Sequence, residues 1–360
     1  MACLCRLRGL DPSDYAAVVG DELLARLRDA LGVDPVYVDE PTRLGGGFYT
    51  ENYAFRVGGV GQEWDRPLVL RLFPRNAPAG LAQREAVVQD LAARGGVLAP
   101  RVLLRGDQGS QIADREWFVM ERLPGRPVLG GIDVVELLRT APYLLRQLPE
   151  VTAATQIQLH RIDAGPLIDA LGDDAGIDRW LTLLDERAQL DAPGLAPGVN
   201  WLAAHRPSSP ARPALCHGDL WGGNLLVEHG RVTGVIDWTL ATAAEPAFDV
   251  GFTTMSLFLA PIPVGPRLRS ALRVVSRWLG RRYLRAYQRS TDADLSNITY
   301  YESLRCIIEL TGVNSYRHAT LSGESYDSGQ PSWDIVADDM VTYFHARTGI
   351  QLELPPPHAP

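Results

Sequence analysis

The sequence predicts an α+β fold with strands gathered in the first 120 residues and helices in the remainder. Three observations carry this. Short alternating apolar runs separated by glycine and proline turns occupy the first third. Apolar residues at helical spacing dominate from about residue 130 onward. One hairpin pattern, residues 225–236, interrupts the helical part.

Taken in order, residues 11–31 read as a helix, with Leu23, Leu24, Leu27 and Leu31 at helical spacing and Asp11, Pro12 and Ser13 as a start. Val36-Tyr37-Val38 is a short strand. Two further strands flank the glycine turn Gly45-Gly46-Gly47, where backbone N–H groups stand exposed because no Cβ intervenes. In Pro67-Leu68-Val69-Leu70-Arg71-Leu72-Phe73, alternation puts Leu68, Leu70 and Leu72 on one face and Val69, Arg71 and Phe73 on the other. A helix follows from Leu81 to Arg94 and includes Glu85. Arg101–Leu104 and Trp117–Met120 complete a five-stranded antiparallel sheet. Met120-Glu121-Arg122-Leu123-Pro124-Gly125 stops a strand at a Pro-Gly turn, which suits a connector. Two domains are therefore expected, 1–122 and 123–360. Helices are expected over 134–148 and 151–162, around Trp180 and Trp201, and near 247–259, 267–288, 296–312 and 332–347.

Composition narrows the function classes. In 360 residues, 46% hydrophobic and 22% charged are ordinary globular values. A net charge of −8 argues against a nucleic-acid partner. No apolar run reaches eighteen residues, so no membrane span is expected, and the first residues lack the apolar core of a signal peptide. A cytoplasmic protein with reduced thiols is the expectation, as a monomer or homodimer. All 35 basic residues are arginine; lysine is absent.

The chemistry concentrates in His217-Gly218-Asp219-Leu220-Trp221-Gly222-Gly223-Asn224 and Val235-Ile236-Asp237-Trp238. Leu225–Glu228 and Arg231–Ile236 read as strands around His229-Gly230. Folding that hairpin brings Asn224 and Asp237 side by side at its open end, with Asp219 in the loop just before. A carboxylate to deprotonate a hydroxyl and two oxygen ligands for Mg²⁺ are what phosphoryl transfer from a nucleotide needs.

These motifs resemble the aminoglycoside phosphotransferase-like (APH, choline kinase-type) family of small-molecule kinases. The resemblance implies a bilobed protein-kinase-like fold, a small lobe with the five-stranded sheet plus a helix and a large, mainly helical lobe. His-Gly-Asp stands where protein kinases have His-Arg-Asp, and Ile-Asp-Trp where they have Asp-Phe-Gly. By that resemblance Asp219 is the catalytic base, and Asn224 and Asp237 are the Mg²⁺ ligands. Glu245-Pro246-Ala247-Phe248-Asp249 resembles the family's Asp-Pro-Ala-x-Asp, departing at Glu245, with Asp249 bracing the catalytic loop and His160 also holding it. The glycines 45–47 would close over the triphosphate. Arg71 would take the phosphate-binding place of the missing lysine, paired with Glu85. Adenine would be read by backbone groups near Glu121 and Leu123, with Met120 lining the pocket. The donor is ATP or GTP, and the nucleotide would sit in the crevice between the lobes.

The expected activity is phosphorylation of a small-molecule hydroxyl, the acceptor being an aminoglycoside, a macrolide (hence antibiotic resistance) or a sugar. Glu302, Glu309, Glu324 and Asp327 with Tyr300, Tyr301 and Tyr316 would suit a polycation; Arg281, Arg282, Arg285 and Arg289 would oppose one. The alternative is a pseudokinase-like nucleotide-binding module without turnover, favoured by the missing lysine. No Ala-Pro-Glu segment follows Asp237, which sets a protein kinase aside.

Overall fold

The structure is a computed structural model that describes residues 12–45, 50–75, 77–107, 109–129, 134–208, 212–262, 264–322 and 331–357. The chain forms two compact units, one comprising residues 1–94 and 98–125, the other residues 95–97 and 126–360. The division after Gly125 falls three residues later than the sequence suggests.

The first unit begins with helix α1 (Pro12–Leu31). Strands β1 (Val36–Arg43), β2 (Glu51–Gly58) and β3 (Leu68–Leu72) follow, then helix α2 (Leu81–Arg94) and strands β4 (Val102–Arg105) and β5 (Trp117–Glu121). The sheet is antiparallel throughout, in the order β1-β2-β3-β5-β4. Alternation along β3 decides what each face meets. Leu68, Leu70 and Leu72 pack with Val19, Leu23 and Leu27 of α1. Val69 and Phe73 pack with Ala82 and Ala86 of α2. Arg71, between them in the pleat, shares the α2 face.

The second unit opens with β6 (Arg126–Pro127), then helices α3 (Val134–Arg146), α4 (Leu148–Leu159), α5 (Gly165–Leu171), α6 (Asp178–Leu190) and α7 (Ala196–Ala204). Strands β7 (Ala214–Cys216), β8 (Leu225–Glu228), β9 (Arg231–Val235) and β10 (Thr242–Ala244) come next. Helices α8 (Pro246–Leu259), α9 (Pro266–Ser290), α10 (Ile298–Leu321), α11 (Pro331–Asp334) and α12 (Ala337–Thr348) close the chain. The core joins α8, α10 and α12 through Phe248, Phe252, Leu304, Ile307 and Phe344. Gly251 lets α8 approach α10, since a Cβ there would stand 2.9 Å from that of Tyr301.

Three strands were not expected from the sequence. β6 adds a third strand to the β8–β9 hairpin, and β7 pairs with β10, Cys216 opposite Thr242. Each is two or three residues long, too short for periodicity to register. The last predicted helix is two, α11 and α12, and α10 runs nine residues beyond its expected end. Among the described residues, no helix is long and apolar enough to cross a membrane.

Candidate active site

In the second unit, β7 delivers the chain into His217-Gly218-Asp219. Gly218 has φ +78°, and a Cβ would lie 2.5 Å from the Leu240 carbonyl oxygen, so only glycine fits this turn. The turn is clamped by Asp249 from the first turn of α8. Its Oδ2 accepts the His217 N–H at 2.9 Å and its Oδ1 the Gly218 N–H at 2.5 Å. His160 adds its Nε2 to Asp249 Oδ2 at 2.9 Å, while its Nδ1 meets the Tyr287 hydroxyl at 2.7 Å. Burial pushes the Asp249 carboxyl up, but hydrogen bonds from His160 and the Gly218 N–H outweigh it and hold the group below the usual carboxylate range. Glu245, where the family pattern has Asp, accepts a hydrogen bond from Asn297 Nδ2 at 2.9 Å.

His217 is buried, and burial holds its imidazole below the ordinary value despite the carboxylates of Asp249, Asp219 and Asp237. Its Nδ1 accepts the Asp219 N–H at 3.2 Å, so Nε2 carries the proton and donates to Ile236 O at 3.2 Å. A neutral imidazole thus ties the loop to the end of β9.

The hairpin does the converging. His229 and Gly230, both at positive φ, form its turn, and Leu225 pairs with Val235. The Ile236 N–H continues the ladder to Asn224 O at 3.0 Å. Asn224 Nδ2 donates to Asp219 O at 2.8 Å and to Asp219 Oδ2 at 3.0 Å. Asp237 sits in the left-handed region at φ 65°, and its Oδ1 accepts the Thr239 hydroxyl at 2.8 Å. Asp237 is close enough to raise the pKa of Asp219. Asp219, Asn224 and Asp237 therefore gather at one end of the hairpin.

Asp219 has a partner that the sequence did not disclose. Arg305, from the middle of α10, places Nη2 2.7 Å from Asp219 Oδ1 and Nη1 2.9 Å from Gly218 O. Burial raises the Asp219 carboxyl above its ordinary value; Arg305 opposes the rise and Asp237 adds to it. A helical arginine with Glu four residues later reads as a solvated surface pair, so sequence gave no cue beyond that spacing.

Of the acidic and aromatic residues that would suit a polycation, Glu302, Glu309, Tyr300 and Tyr301 are buried. Glu309 is buried with its Oε1 2.7 Å from Arg305 Nη2, and Glu302 is buried with Oε2 2.5 Å from Arg347 Nε. Tyr300 and Tyr301 lie in the core. Arg305 and Arg347 pair with these two carboxylates within the protein. Of the opposing arginines, Arg282 is turned onto α3 and α4, pairing with Glu150 at 2.7 Å and donating to Arg146 O at 2.9 Å. Glu324 and Asp327 lie outside the described residues.

In the first unit, Arg71 Nε lies 2.9 Å from Glu85 Oε1, and both side chains are buried. Arg71 Nη1 reaches Asn52 Oδ1 at 3.5 Å. Of the glycine turn, Gly45 has no atom within 4 Å of where a Cβ would stand, so space does not require glycine there; Gly46 and Gly47 lie outside the described residues. Met120 is buried against α2, its sulfur 3.4 Å from Gln89 Nε2. The Glu121 N–H donates to Arg101 O at 3.0 Å and its side chain pairs with Arg66; Leu123 is half-buried.

The description "phosphotransferase enzyme family" (APH) belongs to the family model that matches residues 40–289. The chain belongs to this phosphotransferase family. Its fold is kinase-like: a putative aminoglycoside phosphotransferase from Ralstonia eutropha JMP134 matches over 91% of this chain and 98% of its own, at 21% identity and TM-score 0.59. A thermostable mutant of aminoglycoside phosphotransferase APH(4)-Ia, in ternary complex with ADP and hygromycin B, matches over 89% of this chain and 98% of its own, at 19% identity and TM-score 0.52. Curated relatives of the phosphotransferase chain are of another kind. Acyl-CoA dehydrogenase family member 11 of Gallus gallus is 29% identical over 190 residues, 49% of this chain and 23% of that protein. Family member 10 of Mus musculus is 26% identical over 260 residues, 68% of this chain and 23% of that protein. The chain spans about a quarter of the length of these relatives.

Proposed function

We propose that this phosphotransferase moves the γ-phosphoryl group of ATP or GTP, with Mg²⁺, onto a hydroxyl of a small molecule. The observation that carries the reading is the meeting of Asp219, Asn224 and Asp237 at one end of the hairpin. Asp219 orients the acceptor hydroxyl and takes its proton as the oxygen attacks the γ-phosphorus. The bond to the β-phosphate oxygen breaks, leaving a phosphate ester and a nucleoside diphosphate.

Asn224 and Asp237 supply one amide oxygen and one carboxylate, hard donors of the kind Mg²⁺ takes. An amide committed to Asp219 through its nitrogen has its carbonyl oxygen to offer a cation. Bound there, the ion would neutralise phosphate charge. In the first unit, the planar fork of Arg71, held by Glu85, suits phosphate oxygens and stands in for the absent lysine. The glycine turn and the backbone near Glu121 and Leu123 are assigned to the nucleotide on the family resemblance.

For the acceptor, two observations pull away from a polycationic antibiotic. Glu302 and Glu309 are paired inside the protein, and a guanidinium lies against the base. The curated relatives carry acyl-CoA dehydrogenase names, which favours a hydroxylated acyl thioester over an aminoglycoside or macrolide as acceptor. A screen of nucleotide consumption with hydroxyacyl-CoAs, aminoglycosides, macrolides, sugars and amino alcohols tests the reading. Acceptor-dependent release of nucleoside diphosphate supports it. Tight nucleotide binding with no turnover on any acceptor class points instead to the pseudokinase-like module.

A further inference from the structure

The Arg305 side chain is 3% exposed and reaches Asp219 across 86 residues of sequence. Its fork is fully engaged on one side: Nη1 on the Gly218 carbonyl, and Nη2 within 2.7 Å of both Asp219 Oδ1 and Glu309 Oε1. The guanidinium lies near the rings of Phe252 and Trp333, at 5.1 and 5.8 Å from their centroids. Asp219 in turn uses separate oxygens for separate donors, Oδ1 for Arg305 and Oδ2 for Asn224. Two donors on two oxygens fix the plane of the carboxylate, where one donor would leave it free to rotate. Burying a guanidinium for packing alone would cost more than an apolar side chain of that volume.

We propose that Arg305 is a positioning residue that holds the Asp219 carboxylate in the orientation needed to take a proton, and that Glu309 anchors Arg305 for this task. The proposal rests on the phosphotransferase reading above. Arg305 also bonds the loop backbone at Gly218, so the carboxylate and the loop that bears it are referenced to one rigid helix. Glu309 faces Arg305 on its own helix and Asp219 from the loop, and its pairing keeps the guanidinium from swinging out of line.

The test compares wild type, Arg305→Met and Arg305→Lys in acceptor-dependent turnover, with and without added guanidinium. Arg305→Met is expected to lose roughly 100-fold in kcat with KM for nucleotide unchanged. Added guanidinium should restore part of the rate. Lysine keeps the charge without the fork, so its loss should be smaller. Near wild-type kcat in Arg305→Met overturns the proposal while leaving the phosphotransferase reading intact. A urea-unfolding cycle of Arg305→Met, Asp219→Asn and the double variant supplies a readout free of turnover. Strong coupling supports the hold on Asp219, and additivity overturns it. Coupling in a wild type that turns over no acceptor would condemn the phosphotransferase reading and spare the pairing.

Discussion

Asn224 Nδ2 lies 3.0 Å from Asp219 Oδ2 and 2.8 Å from Asp219 O, so the amide is locked onto the residue assigned as base. This pairing gives the two ends of the loop a fixed relation, and on the proposed reading the amide's oxygen end is the one that would meet a cation.

If that division of labour holds, Asn224→Ala and Asp237→Ala both weaken binding of nucleotide in the presence of Mg²⁺. Both should leave the weaker, metal-free binding nearly unchanged. Titrating a fluorescent nucleotide with and without Mg²⁺ reads this directly. Equal affinity of Asp237→Ala and wild type in Mg²⁺ would remove Asp237 from the metal.

Glu85 is fully buried beside Arg71. Glu85→Ala removes the carboxylate that faces a buried guanidinium, at a cost of about 3–5 kcal/mol in stability. Denaturant unfolding measures it. The same variant should bind nucleotide more weakly, because the Arg71 fork proposed to meet phosphate is no longer held. A stability change within experimental scatter would mean that solvent, not Glu85, neutralises Arg71.

Much of this was legible in the sequence for definite reasons. Alternation along Leu68–Phe73 put Arg71 on the face that carries α2, and helical spacing put Leu23 and Leu27 against the sheet. The hairpin around His229-Gly230 made the approach of Asn224 to Asp237 a matter of register. What stayed hidden depends on contacts between distant elements. Arg305 and Glu309 look like an ordinary exposed pair until α8 and α10 pack and bury them. Glu302 likewise reads as surface charge until Arg347 of α12 covers it. β6, β7 and β10 are too short to carry a period of their own.

Burial pushes the Glu309 carboxyl up to about 7, against the pull of Arg305 and with a further push from Asp219. Its folded pKa exceeds its unfolded one, so the folded state binds the extra proton between roughly pH 4.5 and 7. Stability therefore falls as pH rises through that window. Glu309→Gln should remove this slope and gain relative to wild type at pH 8 more than at pH 5. Urea midpoints at those two pH values check it; parallel behaviour of the two proteins would contradict the assignment.

Asp249 titrates the other way. Its folded pKa lies below its unfolded one, so its stabilisation is present above the usual carboxylate range and disappears as pH falls through the folded value. Asp249→Asn leaves one neutral acceptor for the His217 and Gly218 N–H groups and sets an NH2 donor against the other. The expected loss is about 2 kcal/mol, with reduced turnover because the loop carrying Asp219 loosens. Unfolding curves near neutral pH and near pH 3 separate the two effects: the difference between variant and wild type should shrink in acid.

The most direct measurement is acceptor-dependent nucleotide consumption by wild type and Asp219→Ala, on whichever acceptor the screen returns, alongside nucleotide affinity for each. Loss of roughly 10²–10⁴-fold in kcat with affinity retained is the predicted result. Near wild-type turnover in Asp219→Ala would contradict the account at its centre, because the proton would then leave the hydroxyl by another route.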